Sequence, residues 1–304
     1  MFDRSRLILP EEAQVLKRKI KAGYDIIVSD KCRVNMSIDS KGRVFVGELT
    51  RIKGGIKADA DIRVDRLTTI TGNIAGLRNV YIGERCKIGG KLKVEKDLDI
   101  GEDVKISPDN IEAKGWVNIR NPINMIVYIF IYLLEMIRRG DGEEVQRILE
   151  ELEAQNVEDF LISGDFLFIP QKAKLGNGYM ETPGPVTISK NCLVRSKLTA
   201  GKDVYVDEGS KLEGGIETQG NIVFRKGVAV IGDIRCDQDM EIGKGCTIDG
   251  DIYCRALRMY EDSYVQGTIH AQEKIKFISD EIVAMEEKLK RFETGMDDLD
   301  SVLG

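Results

Sequence analysis

The feature that most constrains this chain is a repeat of about 18 residues that runs through residues 222–271. Apolar residues recur at equivalent places in three successive rows, and each row carries a glycine at the same place. The recurring residues form four columns: Ile222, Met240 and Leu257; Phe224, Ile242 and Met259; Val230, Ile248 and Val265; and Ile234, Ile252 and Ile269. A fixed period of this length is typical of a solenoid and outweighs local propensity.

The spacing inside each row indicates short β-strands. Apolar residues come in pairs two apart, which places both side chains on one face of a strand. The pairs recur about every six residues, so three strands make one triangular turn, and each strand pairs with its equivalent one turn away at about 4.8 Å. The same spacing fits residues 24–120 and 185–277. We therefore predict a mainly β fold, a triangular β-solenoid in two blocks.

Two columns of the repeat contain only small residues. One holds Cys32, Thr50, Thr68, Cys86 and Val104 in the first block and Cys192, Ser210, Val228, Cys246 and Ser263 in the second. The other includes Ala200, Thr218, Cys236, Cys254 and Ala271. All six cysteines lie in these columns, which favours buried free thiols over disulfides. Cys236 and Cys254 are expected to be stacked neighbours, and their oxidation remains open.

The segments outside the repeat are predicted to contain helices. Pro10 suits a first helical turn, and the acidic and basic residues that follow suit the two ends of a helix. We therefore expect residues 1–23 to be an N-terminal capping helix. Three further segments are predicted, namely a helical hairpin insertion at 121–160, a linker or partial turn at 161–184, and a C-terminal helix with an acidic tail at 278–304.

The most apolar segment of the chain is residues 123–139. Its uninterrupted apolar part is shorter than the roughly 20 residues that a membrane-spanning helix needs. Two interpretations remain open. The segment either packs against the solenoid or a second subunit, or lies in a membrane interface. In both cases Ile126, Phe130 and Leu133 are the candidate membrane or partner contacts.

Composition and motifs give no indication of catalysis or nucleic-acid binding. The chain has 45 basic and 51 acidic residues and a net charge of −6, so no basic footprint for nucleic acid is expected. Cysteine and histidine lack ligand spacing, and no glycine-rich loop matches a phosphate cradle. We predict no catalytic residue, metal or cofactor. The one histidine, His270, is predicted to lie on the surface of the last turn.

Parts of the repeat resemble the bactofilins, a family of polymer-forming cytoskeletal proteins. The resemblance rests on VIGDIRCDQDMEIGKGCTIDGDIYC and VYIGERCKIGGKLKV, and is strongest over 201–271. It implies a right-handed triangular β-helix without enzymatic activity. It also implies end-to-end assembly into non-polar filaments without nucleotide, often beside the membrane. This chain departs from the family pattern in having two β-helical blocks.

The expected function is therefore a cytoplasmic, self-associating scaffold of bactofilin type, with or without attachment to the inner face of the cell membrane. Its partner is a second copy of itself, and the sequence does not identify any protein client. Exposed end turns are expected to carry the self-assembly contacts, near Ile26, Val28, Ile275 and Phe277. Two alternatives remain: a hexapeptide-repeat-like acyl or sugar-modifying transferase that uses His270, and a membrane-surface adaptor that does not polymerise.

Overall fold

The computed structural model describes residues 3–119 and 165–280. The chain divides into two compact units, Ala22–Leu167 and Met1–Lys21 with Phe168–Gly304. We call residues 22–119 the first coil, and residues 3–21 together with 168–280 the second coil. The second coil is thus discontinuous in sequence, because the chain leaves it after Lys21 and returns at Phe168.

The first coil is a stack of short strands in regular succession. The strands are β4 (Asp25–Val28), β5 (Arg33–Val34), β6 (Ser37–Ser40), β7 (Val44–Val46), β8 (Arg51–Ile52), β9 (Ile56–Ala58), β10 (Ile62–Val64), β11 (Thr69–Ile70), β12 (Ile74–Gly76), β13 (Val80–Ile82), β14 (Lys87–Ile88), β15 (Leu92–Val94), β16 (Leu98–Ile100), β17 (Ile111–Ala113) and β18 (Val117–Ile119). A 3-10 helix, Pro108–Asn110, precedes β17.

Parallel pairing between equivalent strands gives the first coil three interior ladders. They run through Ile26, Val44, Ile62, Val80, Leu98 and Val117; through Val34, Ile52, Ile70 and Ile88; and through Ile38, Ile56, Ile74, Leu92 and Ile111. Most of these side chains are fully buried. Each fully buried aliphatic side chain contributes about 1.5–3 kcal/mol, so the ladders are the core of the coil.

The second coil contains strands from both ends of the described chain. They are β1 (Leu7–Leu9), β2 (Gln14–Leu16), β3 (Lys19–Ala22), β19 (Phe166–Ile169), β20 (Lys174–Gly176), β21 (Tyr179–Thr182), β22 (Val186–Ile188), β23 (Leu193–Val194), β24 (Lys197–Ala200), β25 (Val204–Val206), β26 (Lys211–Glu213), β27 (Ile216–Thr218), β28 (Ile222–Phe224), β29 (Ala229–Ile231), β30 (Ile234–Cys236), β31 (Met240–Ile242), β32 (Thr247–Asp249), β33 (Ile252–Tyr260), β34 (Tyr264–Val265) and β35 (Ile269–Ile278). Strands β3 and β19 each extend a residue or two into the other unit.

The columns predicted from the repeat are stacked in the second coil. Val230 pairs with Ile248, and Ile248 with Val265. The other three columns keep the same one-turn register. The prediction of a mainly β solenoid with about 18 residues per turn is confirmed.

The predicted N-terminal capping helix is wrong. Residues 7–22 form three strands, of which β1 pairs in parallel with β22 and β2 with β23, while β2 and β3 form an antiparallel hairpin. Ala13, Val15 and Ile20 are 0% exposed. Strand pairing with residues far along the chain therefore outweighs the local charge pattern that favoured a helix, because propensity is only a weak prior.

The remaining predicted segments have different outcomes. Residues 161–184 were predicted to be either a linker or a partial turn. They contain β19, β20 and β21, and β20 and β21 form an antiparallel hairpin. The predicted helical hairpin at 121–160 lies outside the described residues. Most of the predicted C-terminal helix also lies outside the described residues, and only its first few residues are described. β35 extends to Ile278, one residue past the predicted end of the repeat.

One corner of each turn is built by the first small-residue column. Five of its hydroxyl and thiol groups donate to a backbone carbonyl 21 residues earlier: Thr50 to Ser29 at 3.0 Å, Thr68 to Gly47 at 2.9 Å, Cys86 to Asp65 at 3.1 Å, Ser210 to Ser189 at 2.7 Å and Cys246 to Arg225 at 3.0 Å. Buried polar backbone atoms are costly unless they are paired. The side chains of this column are thus small because the corner is tight, and they are polar where they hydrogen-bond to a backbone carbonyl.

A second corner is built by stacked glycines. A Cβ atom on Gly72 would lie 2.5 Å from the carbonyl carbon of Gly54, and one on Gly250 would overlap the carbonyl oxygen of Gly232. The backbones of successive turns approach too closely there for any side chain. The recurring glycine of the sequence repeat therefore marks close backbone approach.

Candidate functional site

The last turn of the second coil leaves part of its apolar interior uncovered. Leu257 and Met259 on β33 are 2% and 4% exposed. Their partners one turn further on, Ile275 and Phe277 on β35, are 43% and 53% exposed. Because all four belong to the same interior columns, the difference arises from the end of the stack and not from a change in side-chain direction.

Three more interior columns reach the same end. Val265, Ile269 and Ala271 are half-buried, whereas Ile248 and Ile252 one turn earlier are buried. We call Val265, Ile269, Ala271, Ile275 and Phe277 the end face. Contiguous exposed apolar groups of this kind mark interaction sites more often than isolated ones do. The end face can therefore bury apolar area against a partner that presents a similar surface.

The other predicted contacts do not lie on an exposed surface. Ile26 and Val28 are 0% and 1% exposed and occupy the interior of the first coil, where β4 pairs with β7. The sequence analysis expected them at an open end. Their burial removes them from the set of surface contacts, whereas Ile275 and Phe277 are accessible.

An exposed apolar group that was not predicted from the sequence lies at the last described turn of the first coil. Val117 and Ile119 on β18 are 48% and 68% exposed, although Leu98 and Ile100, their partners on β16, are buried. Trp116 beside them is 85% exposed. The signal was the irregular end of the repeat, where one extra residue precedes Ile111 and the columns stop after Ile119.

His270 lies on the outer wall of the second coil and is exposed, as predicted. Its ring stacks on Tyr253 with the centroids 4.7 Å apart and the planes 9° apart. The Arg235 guanidinium lies 4.8 Å from the Tyr253 ring centroid, so the three side chains form an outer stack over successive turns. Stacking and cation–π contacts explain these residues without a catalytic role.

The cysteines follow the predicted pattern. All six are free and buried. Burial raises the pKa of Cys86 and of Cys192 to about 11, so both are neutral thiols near neutral pH. They behave as small core residues.

The candidate membrane or partner contacts, Ile126, Phe130 and Leu133, lie outside the described residues. Among the residues that the structure does describe, no helix combines the length and the apolar character that crossing a bilayer requires.

The fold and the site define a β-solenoid protein with an apolar face at the end of one coil. Residues 168–270 match the family model of the bactofilins, described as polymer-forming cytoskeletal proteins. The match covers nearly all of the continuous part of the second coil and about a third of the whole chain, so this segment is similar to the bactofilins. The comparison with curated proteins gave no match, and neither did the comparison with solved structures.

Proposed function

We propose that this protein is a non-catalytic scaffold that self-associates through the end face of its second coil. The single observation that carries the proposal is the exposure of Ile275 and Phe277 in columns that are buried one turn earlier. The match of residues 168–270 to a polymer-forming family supports the same function.

The end face has the physical properties of an association surface. Phe277 is aromatic and half-exposed, and aromatic residues dominate the binding energy of many interfaces. Glu273 and Lys274 are exposed on the same strand, so opposite charges border the apolar residues. An apolar centre with a polar rim is the usual anatomy of a protein–protein interface.

We extend the proposal to location. A cytoplasmic scaffold fits six buried free thiols, because reducing compartments keep thiols unpaired. Attachment to the inner face of the membrane is the second part of this proposal, and it depends on Ile126, Phe130 and Leu133.

The test is the substitution Phe277→Arg in the full chain. It places a charge in the end face, and because the side chain is exposed the coil should still fold. The expected result is loss of large assemblies, measured by sedimentation velocity and electron microscopy over a range of protein concentrations.

The matched control is Ile231→Arg, because Ile231 is 57% exposed on the outward face of β29, in the middle of the same coil. The control should assemble as the unmodified protein does. Assemblies of unchanged size in Phe277→Arg, with an unchanged thermal midpoint, would remove the end face from the proposal.

A further inference from the structure

The second small-residue column brings two thiols together in consecutive turns. Ile234 pairs with Ile252 and Arg235 with Tyr253, and this register places Cys236 beside Cys254. The Cys236 thiol donates to the backbone carbonyl of Gln238 at 3.3 Å. Neighbouring strands lie about 4.8 Å apart, which is within the Cα separation of 4.4–6.8 Å that a disulfide requires.

The other four cysteines cannot form such a pair. Cys32 and Cys86 share a column, but Thr50 and Thr68 lie between them. Cys192 and Cys246 are likewise separated by two intervening turns. Three turns correspond to roughly 14 Å, twice the reach of a disulfide. The chain thus carries one pair that can be bridged and two that cannot.

The Cys236 and Cys254 pair also borders the protein surface. Cys236 is 5% exposed and Cys254 is 3% exposed. Both line a surface depression whose other walls include Tyr253, His270, Gln272 and Ile275. Cys86 and Cys246, in contrast, are 0% exposed and do not line this depression.

We propose that Cys236 and Cys254 are an oxidisable dithiol, which a low-molecular-weight disulfide of glutathione type converts reversibly to a disulfide between successive turns. The Cys254 thiolate attacks one sulfur of the reagent, forms a mixed disulfide and releases one thiolate. The Cys236 thiol then loses its proton and attacks the Cys254 sulfur, releasing the second thiolate. Two thiols are oxidised, the reagent disulfide is reduced to two thiols, and the two protons pass to those leaving groups.

The order of attack follows from the contact between the two side chains. The neighbouring Cys236 thiol lowers the pKa of Cys254, whereas the neighbouring Cys254 thiol together with burial raises the pKa of Cys236. Cys254 is therefore the better source of thiolate. This inference depends on the register of the second coil and not on the proposed self-association.

The test treats the folded full chain with oxidised glutathione, then unfolds it and labels the remaining thiols with a maleimide. Labelling should fall from six thiols to four, and peptide mass spectrometry should find a disulfide that joins Cys236 and Cys254. A reducing agent should restore all six, and the oxidised protein should have a higher thermal midpoint. Six labelled thiols after oxidation, a disulfide between chains, or another pairing would overturn the proposal.

Two alanine variants serve as controls, since alanine occupies the same column at Ala200 and Ala271. Cys236→Ala should form no disulfide within the chain and should carry one glutathione adduct on Cys254. Cys254→Ala should likewise form no disulfide within the chain. A disulfide within the chain in either variant would contradict the proposal, because it would have to use a cysteine from outside this pair.

Discussion

Cys86 and Cys192 stand at corner positions that Thr50, Thr68 and Ser210 occupy in other turns. All five side chains are buried and close the same kind of corner. They differ in that the thiols titrate and the hydroxyls do not. The pKa of each thiol is raised by burial from 9.0 to about 11, whereas a hydroxyl stays neutral. The folded chain therefore holds protons at alkaline pH that the unfolded chain has lost.

This difference predicts alkaline destabilisation with a defined pH window. The contribution of each thiol to the free energy of unfolding is fully present below pH 9 and is lost as the pH rises through about 11. The reason is that the folded state binds more protons than the unfolded state in this range. The free energy of unfolding should fall by about 2–3 kcal/mol per thiol across this window. The double substitution Cys86→Thr and Cys192→Thr should flatten the decline, measured by urea unfolding at pH 8 and pH 10.5. Equal declines in both proteins would contradict the assignment.

Two glycines of the second coil should respond differently to alanine. Gly227 has a φ of +68°, and the atom nearest to an added Cβ, the backbone nitrogen of Gly209, is 4.0 Å away, so Gly227→Ala should cost only the left-handed penalty of about 1–2 kcal/mol. Gly250→Ala places its Cβ against the backbone of Gly232 and should cost at least about 3 kcal/mol. Urea unfolding of both variants measures the difference. Similar losses in both would show that the glycine corner has more room than the structure indicates.

At the scale of elements, the N-terminal strands complete the first turn of the second coil. Leu7–Leu9 lie beside β22, and the backbone N–H of Leu7 donates to the carbonyl of Pro185 at 2.9 Å. The Cys192 thiol lies 3.0 Å from the carbonyl oxygen of Pro10. These contacts cover the turn that contains β22 and β23.

Deletion of residues 3–21 should therefore expose one thiol selectively. In the native state Cys192 should become reactive toward a maleimide, while Cys246, three turns away in the same column, should stay protected. Labelling followed by mass spectrometry distinguishes the two. If Cys192 stays as protected as Cys246, the N-terminal strands are not its cover.

The sequence predicted the ladders but not these strands, and the reason is physical. An 18-residue period is visible because each column repeats within a short window. The pairing of β1 with β22 joins residues about 180 positions apart, and Pro10 with its flanking charges satisfies the rules for a helix as well. The strands could have been predicted by comparing segments that are far apart in the sequence, because Pro10, Ala13 and Cys32 recur at the same spacing as Pro170, Ala173 and Cys192. Residues 165–182 carry the same pattern and also form strands.

The candidate site was predictable in part. Phe277 and Ile275 follow from the end of the repeat, because interior columns must become exposed where stacking stops. Ile26 was expected near an exposed end turn and is buried, since the repeat alone does not show how exposed the first turn of a coil is. The polar role of the small column was also missed, because a hydroxyl that satisfies a backbone carbonyl 21 residues earlier is visible only in three dimensions.

At the scale of the whole molecule, charge and apolar area have opposite effects on association. The chain carries a net charge of −6, so copies repel one another at low ionic strength. Its ion pairs are largely exposed, such as Arg66 with Glu48 at 2.7 Å, and pairs of this kind contribute little to stability. The buried ladders, not the surface charges, hold each coil together.

This balance predicts how salt should affect assembly, if assembly uses the end face. Raising sodium chloride from about 0.05 M to about 0.5 M shortens the screening length, which weakens the repulsion between copies and leaves apolar burial intact. Assemblies should therefore grow or stay constant in size, measured by light scattering at fixed protein concentration. Phe277→Arg should remain dispersed at both salt concentrations. Salt screens the repulsion between copies, but it does not restore the apolar end face that the substitution changes. Dissolution of the assemblies at high salt would instead indicate that ion pairs hold the copies together, and the contact would then have to be sought among the charged walls of the coils.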